Sequence, residues 1–195
     1  MLFRSASVAT PDRPVDRPWI ACDESTGPYA GRLYLASKKQ NDAVRPYRIY
    51  LTTSDDEGRT WSVQRTIDDS IPGGANLKSM AIPSVGPTGM LWIGYLSYDT
   101  AYSPFPRYIV ETSTDGGATF VPHVAAVLPL SAGGVAADSL YQYSYVLAAS
   151  PRDPGRAILA WTDRRNGDPD IMMTMTRSEE HTSELQSPCN LVCRL

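Results

Sequence analysis

The sequence predicts an all-β chain assembled from about three copies of one four-stranded antiparallel unit. Three observations carry this expectation. The pattern Ser-x-Asp-x-Gly-x-Thr-aromatic occurs twice, beginning at Ser54 and Ser113, 59 residues apart. Each copy follows a strand-like lead-in, residues 48–53 and 107–112, and a third lead-in occupies residues 170–176. Between residues 16 and 176, short aliphatic and aromatic runs alternate with Gly, Pro, Asp and Ser turns, and no 3.6-residue apolar period is sustained.

Taken in order, residues 1–15 are mixed and proline-rich and predict an irregular segment. The first unit, about 16–68, offers strands at 19–23, 31–37 and 48–53 before the motif. The second, about 76–126, offers strands at 81–85, 89–95 and 107–112. The third, about 140–176, offers 145–149, 155–161 and 170–176. Strand, turn, strand, loop, strand, motif turn, strand is the order of one propeller blade. Trp61 and Phe120 are placed to open the outer strands and pack back into their blades, and Trp19, Trp92 and Trp161 fit blade core.

The motif has a local physical reading. The oxygens of Ser54, Asp56 and Thr60, and of Ser113, Asp115 and Thr119, can accept from backbone N–H groups within one turn. Gly58 and Gly117 supply the positive φ that such a tight connection needs. These residues hold turns and are not expected to do chemistry.

Charge and composition exclude several classes. A formal net charge of −3 gives no electrostatic case for nucleic acid or an anionic membrane. No apolar run approaches the roughly 20 residues of a membrane helix, and residues 1–16 lack the apolar centre of a signal peptide. Cys22 stands alone in the body of the chain and His123 is its only histidine before residue 181, too few ligands for a Cys/His zinc site. No metal and no cofactor are expected, and His123 reads as a strand-edge or loop residue.

Residues 177–195 break the pattern. Residues 177–187 resemble the in-frame translation of a sequencing-library adapter, so the segment is expected to be foreign and is set apart from fold reasoning. The alternative is a short capping helix over residues 178–185, since Ser-Glu-Glu suits a helix N-terminus. Ser178 stands where a third motif would begin, 65 residues beyond the second.

The two motifs, with the phrases at residues 17–23 and 160–168, resemble bacterial sialidase-like proteins with Asp-box (BNR) repeats. The resemblance covers about residues 16–178 and implies a partial propeller, three blades of a presumed six. Such a chain would lack neighbouring blades and would associate through unpaired edges. The resemblance further implies glycans or glycoproteins as partners and an exported parent. In active sialidases an arginine triad holds the substrate carboxylate, an aspartate is the acid/base, and a tyrosine assisted by a glutamate is the nucleophile. The aspartate phrase is matched best by residues 161–171, making Arg164 and Asp168 the catalytic candidates and Asp163, Arg165 and Asp170 the substrate-binding ones. The first arginine's motif is not matched: Ser144 stands at the corresponding strand start, and Tyr47-Arg48-Ile49-Tyr50 lies on the wrong strand. The expectation is therefore a glycan- or protein-binding propeller, with an exo-α-sialidase as the alternative and a sortilin-like receptor domain or xyloglucanase as a third reading. The segment 163–170 itself reads either as a solvated hairpin with surface Arg–Asp pairs or as a substrate-facing loop.

Overall fold

The computed structural model describes residues 15–39, 48–68, 78–97, 105–129, 141 and 144–177. The described chain is all-β, with three antiparallel sheets forming a partial β-propeller. The first sheet has the order β1 (Val15–Cys22), β2 (Leu33–Lys39), β3 (Arg48–Ser54), β4 (Arg65–Thr66). The second runs β5 (Lys78–Val85), β6 (Leu91–Ser97), β7 (Arg107–Ser113), β8 (Val121–Val127), and the third holds β9 (Tyr145–Ala149), β10 (Arg156–Asp163) and β11 (Asp170–Arg177). Ser178 and the rest of the C-terminal segment lie outside the described residues.

The middle sheet shows why the strands read as they do. Every residue of β6 is buried, because a strand covered on both faces carries apolar side chains at consecutive positions. Its two faces separate cleanly by parity. Leu91, Ile93 and Tyr95 enter a core with Tyr34, Ala36, Ile49, Leu51 and Ile67 of the first sheet. Trp92 and Leu96 enter a second core with Tyr145, Leu147, Leu159, Trp161 and Met172 of the third. Burying each large side chain contributes roughly 1.5–3 kcal/mol relative to exposure. Tyr108 stacks at a tilt on Tyr145 and Trp161, with centroids 5.0 and 5.5 Å away.

Several boundaries differ from expectation. β1 starts at Val15 rather than Trp19, with a register shift between Asp16 and Trp19. Arg17 takes a positive φ of 54° there, as a bulge permits. Trp19 remains 45% exposed, unlike Trp92 and Trp161, which are core. β4 is only two residues long, and Trp61 lies outside it, four residues before its start. The Trp61 indole turns back to donate to the Gly58 carbonyl at 3.1 Å. β8 begins at Val121, one residue after Phe120, whose ring packs against the first core.

Both motif turns are locked as the residue types require. Ser54 Oγ accepts from Gly58 N at 2.9 Å, and Asp56 accepts from Thr60 N at 2.8 Å and Thr60 Oγ1 at 2.7 Å. Ser113 Oγ accepts from Gly117 N at 2.9 Å, and Asp115 accepts from Thr119 N at 2.8 Å and Thr119 Oγ1 at 2.6 Å. Gly58 and Gly117 have φ of 82° and 84°. Gly116 is also left-handed, and a Cβ there would lie 2.6 Å from the Tyr29 ring. The second turn is further clamped to the first sheet, since Arg32 donates to Gly116 O at 3.0 Å and Arg65 to Ala118 O at 2.8 Å.

Antiparallel order sorts the connections between two ends of the sheets. The β1–β2, β3–β4, β5–β6, β7–β8 and β9–β10 connections lie at one end, here the turn end. The β10–β11 connection, with the last residues of β6 and the first of β3 and β7, lies at the other. That hairpin end carries the sequence-predicted site residues.

Candidate functional site

The register pairs Asp163 with Asp170 as the final rung of β10–β11, so both carboxylates flank the connecting turn. They fare differently. Odd-numbered β10 residues face the middle sheet, which carries the Asp163 side chain into the protein, fully buried. A buried carboxylate needs compensation, and Asp163 has five donors. Arg165 Nη2 lies at 2.6 Å and Nε at 3.0 Å, the Arg165 backbone N–H at 2.8 Å, the Trp161 indole at 3.0 Å and the Tyr141 hydroxyl at 3.3 Å. Burial alone would raise its pKa. The hydrogen bonds from Arg165 and Trp161 outweigh that and hold the carboxyl below its ordinary value.

The network extends along the hairpin end. The Tyr141 hydroxyl accepts from the Arg164 backbone N–H at 2.9 Å, while its carbonyl accepts from the Tyr108 hydroxyl at 2.9 Å. The Tyr145 hydroxyl donates to the Met80 carbonyl. These contacts fix the root of the hairpin. Its tip closes through Gly167 N to Arg164 O at 3.0 Å and Asn166 Nδ2 to Asp170 Oδ2 at 2.9 Å. The turn residues Arg164 and Asp168 are exposed.

The candidates thus separate into two groups. Asp163 and Arg165 form an ion pair with a buried acid rather than the solvated surface pair that the simpler sequence reading expects. Arg164, Asp168 and Asp170 sit on the hairpin those two hold in shape. The Arg48 of the Tyr-Arg-Ile-Tyr phrase pairs with the buried Asp68 at 2.9 Å. Ser144 contributes its backbone, accepting from Thr162 N at 2.9 Å. His123 sits on β8 with Nε2 at 3.1 Å from Thr112 Oγ1, and burial lowers its pKa.

Sequence reasoning missed a second polar cluster. On the face of the middle sheet toward the first, the Tyr95 hydroxyl donates to Glu111 Oε1 at 2.9 Å, both residues fully buried. Burial, then the neighbouring Glu111 and Asp68 carboxylates, push the Tyr95 hydroxyl well above its ordinary range, so it stays a donor. Its burial keeps this Tyr–Glu pair away from any ligand at the surface. Among the described residues no group of three or more His, Cys, Asp or Glu could hold a metal ion, and no helix is long and apolar enough to cross a membrane.

The three sheets form a partial β-propeller, a fold shared with several solved structures. A Hadza microbial sialidase superposes with a TM-score of 0.57 at 20% identity, over 89% of this chain and 35% of its own. An α-L-arabinanase of Penicillium chrysogenum, solved with arabinobiose, gives 0.59 at 17% identity, over 85% and 48%. A leech intramolecular trans-sialidase gives 0.50 at 17% identity, over 84% and 22%. The chain therefore spans half or less of each of these proteins. No protein-family model matches it, and no curated protein sequence matches it.

Proposed function

We propose that this chain is part of an Asp-box propeller of the sialidase-like kind that engages glycans through its hairpin end. The carrying observation is the division of labour between the two ends. At the turn end, the Asp56 and Asp115 carboxylates are consumed by their own turns. At the hairpin end, Asp163 and Arg165 are consumed as a brace whose acid is buried, and Arg164 and Asp168 face solvent on a shaped turn. Arg164 is the group suited to a sugar carboxylate or hydroxyl, since a guanidinium presents a planar fork of donors. Asp168 and Asp170 supply acceptors for hydroxyls. The solved propellers of similar fold act on carbohydrates by their printed names, which supports a glycan rather than a protein ligand.

Two ligand chemistries are in competition, and the comparisons supply one probe for each. The 195-residue chain is titrated with 3′-sialyllactose and with arabinobiose, observed by saturation-transfer NMR. Saturation transfer to either sugar, weakened about tenfold or more by Arg164→Ala, supports glycan engagement at this hairpin. The absence of transfer to either overturns it. The enzymatic alternative, an exo-α-sialidase, predicts release of fluorophore from a fluorogenic sialoside by the full-length parent, abolished by Arg164→Ala or Asp168→Ala.

A further inference from the structure

The strands nearest the propeller axis are the first of each sheet, since β1 packs against β5 and β5 against β9. β1 carries a bulge toward its hairpin end. Val15 and Asp16 pair there with Lys39 and Lys38, and the register slips before Trp19 meets Ala36. Arg17, inside the bulge, holds φ at 54°, a left-handed conformation that an arginine adopts at a cost. Strain of this kind gathers at functional positions, and a bulge re-aims the side chains beside it. The Arg17 side chain is tied back, with Nε 3.3 Å from Asp16 Oδ2, and Lys38 reaches the same oxygen at 3.5 Å.

Internal equivalence shows that Trp19 departs from the pattern of its own fold. Leu33 and Leu91 pair with the two motif serines, Ser54 and Ser113, which aligns the first sheet with the middle one. Three residues on, Ala36 pairs with Trp19 and Gly94 pairs with Ile82. Both Trp19 and Ile82 lie on the face turned to the next sheet, because Ala36 belongs to the core between the first and middle sheets and Ile82 to the core with the third. Ile82 is 6% exposed, whereas Trp19 is 45% exposed. The next sheet is present in both cases, so the uncovered indole belongs to the inner edge of the propeller and not to an end sheet's outer face. Ile20, the next residue, points to that opposite face. The indole of Trp19 is therefore held near the axis without joining either core. Its face carries the negative side of the ring quadrupole, which suits the weakly positive C–H groups of a sugar ring, and its N–H suits a hydroxyl.

We propose that Trp19 is a stacking platform for one sugar ring of the glycan engaged at the hairpin end, a role that rests on the glycan reading of that end. The bulge around Arg17 turns the strand so that the indole stays uncovered, and the strain there is held for that purpose.

Fluorine NMR of the full chain, with fluorotryptophan at its four tryptophan positions, tests this. Titration with 3′-sialyllactose or arabinobiose is expected to shift the Trp19 signal, identified by its loss in Trp19→Tyr. The signals of Trp92 and Trp161, both buried, are expected to stay in place. Trp19→Ala is expected to weaken binding about tenfold or more, and Trp19→Tyr, which keeps an aromatic face, by about threefold or less. A Trp19 signal that stays still while saturation transfer shows sugar bound overturns the platform, whatever Trp19→Ala does to folding. Binding that Arg164→Ala abolishes and Trp19→Ala leaves unchanged also overturns it, and keeps the hairpin reading. Binding lost in Trp19→Ala but indifferent to Arg164→Ala supports the platform and overturns Arg164 as the contact. Absence of transfer from the wild type to either sugar overturns both.

Discussion

The two ends of these sheets use the same residue types in opposite ways. At the turn end, Asp56 and Asp115 are each satisfied by hydroxyl and backbone groups within four residues of themselves. At the hairpin end, Asp163 depends on an arginine, a tryptophan and a tyrosine, and the tyrosine is 22 residues away. The first kind of site is local, repeated and partly exposed. The second is assembled by the fold, buried and present once among the described residues. Local sites survive loss of neighbours, and assembled sites do not. The hairpin end should therefore be the more vulnerable to substitution.

The largest expected effect breaks the assembled site. Asp163→Ala removes the acceptor of five donors, leaving the Trp161 indole unpaired and Arg165 without its ion-pair partner, which predicts a loss of about 3 kcal/mol in urea unfolding. A loss no greater than that of an ordinary surface change would show that the buried brace contributes little. Next in size is Gly116→Ala. A Cβ there meets the Tyr29 ring and Arg32 at 2.6–2.7 Å in a left-handed backbone, which predicts roughly 2 kcal/mol by the same measurement. Gly58→Ala in the first turn adds a Cβ with nothing nearer than 3.6 Å, so only the backbone term, about 1 kcal/mol, is expected.

A smaller effect sharpens the contrast through pH. Hydrogen bonds from the Thr60 and Thr119 hydroxyls, then from their backbone N–H groups, lower both turn carboxyls to about 2. A depressed folded pKa stabilises above the unfolded value, near 3.9, and that stability is lost as pH falls from about 4 toward about 2. Thermal melts across this window should decline in the wild type, and the decline should be shallower in Asp56→Asn with Asp115→Asn. An unchanged slope would mean the turn carboxyls are not coupled to folding.

The turns were legible in the sequence because their chemistry is contained within eight residues. Ser54, Asp56, Gly58 and Thr60, like Ser113, Asp115, Gly117 and Thr119, take the partners their spacing predicts. Strand positions were legible to within a few residues, and the continuous apolar run at β6 is what a doubly covered strand looks like. The burial of Asp163 was not legible. Its partner Tyr141 lies in a stretch without pattern, and an Arg-Arg-Asn-Gly-Asp run reads as solvent-facing. Glu111 was hidden for a related reason. A glutamate in an alternating strand reads as exposed until the sheet is known to be the middle one, covered on both sides. Trp61 was misplaced because a ring that opens a strand and a ring that folds back onto its turn share the same residue spacing.

The central claim is that the exposed residues of the hairpin end meet ligand and the turn end only holds shape. It is tested most directly by comparing Arg164→Ala with Asp56→Asn for binding of 3′-sialyllactose and arabinobiose at a temperature where both variants are folded. The account predicts that Arg164→Ala weakens binding about tenfold or more and that Asp56→Asn leaves it unchanged. Binding indifferent to Arg164→Ala but weakened by Asp56→Asn would contradict it.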